Sequence, residues 1–181
     1  MQSHPSRGIH QEPLQELAAA TQVGGRRTDA ILFTCSAFGP AIEAAAEATG
    51  LPTLKPNEAM FEQALALVPP GAPLGLVATF EASIGSMAEE LHQMARARGR
   101  VVDLQTVFVP QAMQDLAAGR ADLHHQRVAE AAAGLGACPV LMLAQFSMAD
   151  ALPVVQTRFS GHVLASPDCA VLALQQRMHH D

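Results

Sequence analysis

Short apolar runs alternate with helical stretches along most of this chain, and that alternation predicts an α/β fold with parallel sheets flanked by helices. Two further features agree with it. Several apolar runs pass into a helix through a turn of small or polar residues, as buried parallel strands do. Hydrophobic residues make up 49% and charged residues 15% of the 181, enough apolar surface for a core and no argument for overall disorder. A mass of 19.0 kDa suits one globular unit, either a compact domain or two small lobes sharing an interface.

Residues 1–25 begin with polar and turn-forming residues and then read as a weak helix through Leu14 and Leu17, with no strand signal before it. Residues 30–34 are an apolar run suited to a buried strand. Cys35 to Pro40 form a turn, and residues 41–49 an alanine-rich helix. Residues 51–55 are a candidate short strand. Asn57 is placed to cap a helix reaching about Leu67, and Pro69-Pro70-Gly71 then breaks the pattern, marking a lobe boundary near residue 70. Residues 74–79 are a second clear strand, followed by a helix over 83–97 that ends in basic residues and Gly99. A third strand is expected over 101–109, helices over 112–118 and 121–135, a strand over 139–144, and a helix from residue 148. In such folds ligands bind outside the carboxyl ends of the strands. Cys35, Thr79 and Gln145 all fall at such ends. A faint internal repeat relates Leu32-Phe33-Thr34-Cys35-Ser36 to Leu143-Ala144-Gln145-Phe146-Ser147.

Several functions are disfavoured. The formal net charge of −6 and a pI near 5.7 oppose a nucleic-acid backbone, and no basic run reverses that field. Aromatic residues are only 4%, with no Trp or Tyr, so base-stacking platforms have little to be built from. No apolar run approaches the roughly 20 residues that cross a bilayer, and the opening lacks the pattern of a signal peptide. No membrane partner and a cytoplasmic location are therefore expected. Cys35, Cys138 and Cys169 follow neither a disulfide nor a zinc spacing, so reduced thiols and no metal are expected.

The segments Phe33-Thr34-Cys35-Ser36-Ala37-Phe38-Gly39-Pro40, Lys55-Pro56-Asn57-Glu58-Ala59-Met60, Leu76-Val77-Ala78-Thr79-Phe80 and Leu143-Ala144-Gln145-Phe146-Ser147-Met148 resemble those of the Asp/Glu/hydantoin racemase superfamily. The likeness covers roughly residues 28–175. It implies two similar α/β lobes with the active site in the cleft between them. It also implies cofactor-independent acid–base chemistry in which a cysteine from each lobe faces the substrate. Relatives include arylmalonate decarboxylase, working with one cysteine, and maleate isomerase, using cysteine as nucleophile.

Two departures stand out. Gln145 occupies the position of the second cysteine, and the strand, helix and strand that normally open the first lobe are missing, as from an N-terminal truncation. The expected division is thus an incomplete first lobe over 1–70, a second lobe over 71–160, and a segment over 161–181 that packs back on the first. Apolar surface left on the incomplete sheet would suit a homodimer.

Cys35 is the candidate catalytic group, because a helix start lowers a thiol's pKa and favours the thiolate. Its structural alternative is a small residue buried in a turn. Cys138 lies at the wrong end of its strand and Cys169 starts the C-terminal helix, so both are read as structural. Backbone N–H groups of Ser36 and Ala37, and of Phe146 and Ser147, are candidates to hold a substrate carboxylate, with ordinary capping as the alternative for the serines. Thr79 resembles a carboxylate contact of the family. Asn57 either caps its helix, the favoured role, or faces the cleft.

His124-His125 falls in a polar helix and His179-His180 at the exposed C-terminus, neither pair with a metal partner. Glu81 is read as a solvated charge, and Met87 and Met94 as helix packing. The resulting expectation is a racemase- or isomerase-type enzyme acting on a small carboxylate through Cys35. The alternatives are a single-cysteine decarboxylase or isomerase, and a catalytically impaired remnant or binding module.

Overall fold

The computed structural model describes residues 28–34 and 39–178. Cys35, Ser36, Ala37, the expected N-terminal helix and His179-His180 lie outside the described residues. Strands β1 (Ile31–Leu32) and β2 (Thr53–Leu54) pair in parallel around helix α1 (Gly39–Thr49). Helix α2 (Glu58–Leu67) then leads into a second, four-stranded parallel sheet. Its strands are β3 (Leu74–Ala78), β4 (Leu104–Phe108), β5 (Val140–Leu143) and β6 (His162–Ala165), in the spatial order β4-β3-β5-β6. The intervening helices are α3 (Ile84–Ala97), α4 (Ala112–Ala117), α5 (Ala121–Ala133) and α6 (Leu152–Gln156), and α7 (Ser166–Met178) closes the described chain. The architecture is the α/β class with parallel sheets that the alternating pattern predicts, and the first sheet has two strands among the described residues.

Every residue of β3 and β5 is buried, which is why both read as unbroken apolar runs. Their side chains alternate between two cores. Leu74, Leu76, Val140 and Met142 face α2, α3 and α7, packing with Phe61, Leu65, Leu91 and Cys169. Val77, Leu141 and Leu143 face the other side, against Val128 and Ala132 of α5 and Val155 of α6. Strand β4, at the edge, is only partly buried and carries the more polar Leu-Gln-Thr-Val-Phe run. Helix α7 packs on α2, which in turn packs on β5 and β6. The Arg100 guanidinium donates to the carbonyls of Leu65 and Val68, satisfying acceptors that the end of α2 leaves open.

The structure corrects three expectations. Residues 162–165, not foreseen as a strand, form β6 and carry the sheet past residue 160. His162 N–H donates to the Pro139 carbonyl at 2.9 Å, and the chain reaches that position only because residue 161 has no side chain. A Cβ on Gly161 would sit 2.4 Å from the same oxygen. The helix expected from residue 148 is instead a 3₁₀ turn, Phe146–Ala151, that becomes α6 at Leu152. Pro153 explains the change, since it fits the first turn of a helix but not its interior. His124, assigned to a polar helix, is fully buried. Its Nδ1 lies 2.8 Å from the Ala112 carbonyl, and because a carbonyl only accepts, that nitrogen carries the proton.

Asp115 ties α4 to α5. Its Oδ1 accepts from Arg120 Nε and Nη2 at 3.0 and 2.7 Å, and its Oδ2 from Arg127 Nε at 2.7 Å. The Arg120 hydrogen bonds hold its carboxyl below the ordinary range against the opposing effect of burial, with Arg127 adding to the shift.

Three predictions follow from this packing. Gly161→Ala sets a methyl against backbone and should lower stability by about 1–3 kcal/mol. Gly85→Ala, where an added Cβ meets nothing within 4 Å, should raise it by about 0.5 kcal/mol. Urea midpoints of the two variants read both. Asp115, whose folded pKa is depressed, contributes stability that is present above the unfolded value of about 3.9 and lost as pH falls through the folded one. Unfolding midpoints measured from pH 7 down to 3 should decline on the acid side, and Asp115→Asn should flatten part of that decline while lowering the neutral-pH midpoint.

Candidate functional site

From β3 the chain crosses to β4 on one side of the sheet, and β5 is then laid on the other side. That reversal opens a crevice beyond the carboxyl ends of β3 and β5. Val77 pairs with Leu143, so two residues further on Thr79 and Gln145 stand abreast. Thr79 donates to Gln145 Oε1 twice, from its backbone N–H at 2.8 Å and from Oγ1 at 3.2 Å. Gln145 Nε2 donates to Ser83 Oγ at 2.9 Å, and Ser83 Oγ donates to the Phe80 carbonyl at 2.8 Å. The glutamine side chain thus links the ends of two strands to the start of α3.

A cleft of about 680 Å³ lies over this network. Thr34, exposed at the end of the first sheet, contributes one wall, and Pro56 and Asn57, at the start of α2, another. The turn after β3 and the first two turns of α3 bring Phe80, Ala82, Ser83, Ser86, Met87 and Glu90. Ala144, Gln145, Phe146 and Ser147 come from the end of β5. Of the expected site residues, Asn57, Gln145, Phe146 and Ser147 therefore line one cleft. Thr79 lies beneath it, buried and bonded to Gln145. Cys35, Ser36 and Ala37 follow Thr34 in the chain but fall outside the described residues.

Asn57 departs from its expected capping role. Its side chain makes no cap hydrogen bond. It is buried instead, its Oδ1 3.1 Å from Ser166 Oγ, a hydroxyl that also donates to the Pro56 carbonyl. The contact that holds the amide comes from Ser166 at the start of α7, across the core, while the residue also borders the cleft.

Neither described cysteine is activated. Burial pushes the Cys169 thiol up to about 11, with Asp168 adding to the shift. Burial, with a contribution from Asp103, also raises Cys138. Both are protonated near neutrality, and neither lines the cleft. Glu81 is exposed in its 3₁₀ turn. Met87 is buried in the core and also borders the cleft.

Glu90, Ser83 and Ser86 were not foreseen. Ser83, Ser86, Met87 and Glu90 follow the i, i+3, i+4, i+7 spacing of one helix face, a signal present in the sequence once α3 is known to start at the cleft. Burial raises the Glu90 carboxyl, Glu58 reinforces the rise, and Lys55 opposes it. Among the described residues no group of His, Cys, Asp and Glu side chains could hold a metal ion. No described helix is long and apolar enough to cross a membrane.

Comparison with known proteins gives a consistent picture. No curated protein matches the chain significantly. Among solved structures, glutamate racemase isoform RacE1 from Bacillus anthracis superposes with a TM-score of 0.64 at 16% identity, over 97% of this chain and 68% of its own. Allantoin racemase from Klebsiella pneumoniae gives 0.66 at 20% identity, over 91% of this chain and 64% of its own. An arylmalonate decarboxylase gives 0.58 at 15% identity, over 93% and 74%. These likenesses establish the shared fold, and this chain spans about two thirds of the length of the two racemases. The model of the Asp/Glu/hydantoin racemase family matches residues 3–174, nearly the whole sequence, and the chain belongs to that family.

Proposed function

We propose that this protein is a cofactor-independent enzyme of the racemase/isomerase type, acting on a small carboxylate or amino-acid-like substrate through Cys35. The observation that carries the reading is the cleft itself. Thr34, the residue before Cys35, and Gln145, from the other sheet, border one cavity at strand ends, where this family's chemistry would be performed. The Cys35 thiolate removes the proton beside the substrate's carboxylate or carbonyl, and charge moves onto oxygen to give an enediolate-like intermediate. Backbone N–H groups of Ser36 and Ala37 on one side, and of Phe146 and Ser147 on the other, stabilise that charge. With Cys138 and Cys169 held as thiols, Cys35 is the one cysteine left for the role.

A second reading rests on Gln145. An amide cannot exchange a proton as a thiol does, and its oxygen is already bonded to Thr79. Delivery to the second face of the substrate then lacks a thiol, which favours a one-cysteine decarboxylase or isomerase, or a module that binds carboxylates without turning them over.

Proton NMR in heavy water, with amino acids, hydantoins and substituted malonates, tests both. Exchange or decarboxylation that disappears in Cys35→Ala is the expected result, and no turnover by the folded protein would favour the binding module. The wild type should exchange the α-proton faster than it inverts configuration. Gln145→Cys should raise inversion relative to exchange by supplying a thiol on the second wall, and an unchanged ratio would count against the proposed placement of the two groups.

A further inference from the structure

Among the described residues that line the cleft, Glu90 is the one ionisable side chain; the rest are apolar or neutral polar. It sits seven residues beyond Ser83 on the same face of α3, about 10 Å along the helix axis. Ser83 is bonded to Gln145 at the polar end, over the strand ends. Along this helix face the cleft is therefore asymmetric, with a hydroxyl bonded to the Gln145 amide at one end and a half-buried carboxyl at the other. Met87 lies between them and offers an apolar wall.

We infer that Glu90 selects a substrate bearing a second, positively charged nitrogen, of the diamino or guanidino acid class, and disfavours dicarboxylates. The inference rests on the cleft being the substrate site, as proposed above. A substrate carboxylate held over the strand ends leaves its side chain directed down the stripe Ser83, Ser86, Met87, Glu90. Methylene groups of a lysine-, ornithine- or arginine-length arm pack on Met87, and the terminal cation meets Glu90. Partial burial strengthens such a contact relative to water, and it equally strengthens repulsion of a second carboxylate.

The charged neighbours are consistent with this role. Lys55 favours the ionised form of Glu90, while burial and Glu58 oppose it. Glu58 is itself bonded to Arg177 at 3.1 Å. A cation arriving from the cleft compensates the burial and holds Glu90 ionised.

The test uses the full chain and compares lysine, ornithine and arginine with glutamate and with norleucine, the uncharged analogue of lysine. Calorimetric Kd values and α-proton exchange are measured for the wild type, Glu90→Gln and Glu90→Lys, with circular dichroism to verify folding. The wild type should bind the cationic group about tenfold or more tightly than norleucine, the scale of one charge-assisted contact. Glu90→Gln should remove that preference while leaving norleucine unchanged, and Glu90→Lys should shift it toward glutamate. Tighter wild-type binding of glutamate, no binding of any probe, or an equal loss for norleucine in Glu90→Gln would overturn the inference. Cys35→Ala separates the two proposals. Cation-selective binding without Cys35-dependent exchange overturns the enzyme reading alone, and exchange indifferent to side-chain charge overturns the role of Glu90 alone.

Discussion

The parallel pairing of β3 with β5 sets the rest of this molecule. Both strands are buried on both faces, so neither can slip by one residue without turning its side chains from one core into the other. With Val77 held opposite Leu143, Thr79 and Gln145 have to emerge side by side at the carboxyl end of the sheet. The glutamine amide then completes what the backbone ladder no longer supplies there. Its oxygen takes the Thr79 N–H, and its nitrogen reaches Ser83 at the entry to α3. Strand order, strand register and one side-chain amide together define the floor of the cleft.

Among the described residues, the lining of that cleft is largely apolar, with Thr34, Asn57, Ser83, Ser86, Gln145 and Ser147 as neutral polar groups and Glu90 as the one carboxyl. Under the proposed chemistry, the neutral dipoles among these groups would stabilise a developing charge without reorganising. Burial penalises the thiolate at each of the two described cysteines. Gln145 is a neutral amide at the end of β5 that borders the cleft. Its amide is bonded to Thr79 and Ser83, so the residue builds the site's floor whatever its part in turnover.

Strands β3 and β5 were legible because full burial on both faces leaves an uninterrupted apolar run, a strong local signal. The same is true of α3, with its basic end and Gly99. Strand β6 was not, because His162–Ala165 is short and begins with an exposed histidine, and the close approach of Gly161 to Pro139 that creates it joins residues distant in the chain. Asn57 misled for a related reason. Its position before a helix is a local capping signal, while the contact that holds it comes from Ser166 across the core. His124 looks polar in sequence and is buried because a carbonyl twelve residues earlier accepts its Nδ1 proton.

Sequence alone thus determined the α/β class, the order of most elements, the family and the strand ends at which a site would form, since each is carried by composition, periodicity or contiguous motifs. Tertiary structure decided which of those ends converge, that Asn57 is bonded to Ser166 of α7, that Ser83, Ser86 and Glu90 share the wall of one cleft, and that Cys138 and Cys169 are buried with raised thiol pKa values. These depend on which side of β3 the chain lays β5 and on how deeply each group is buried. Both are set by the packing of segments far apart in the sequence, which no local pattern records.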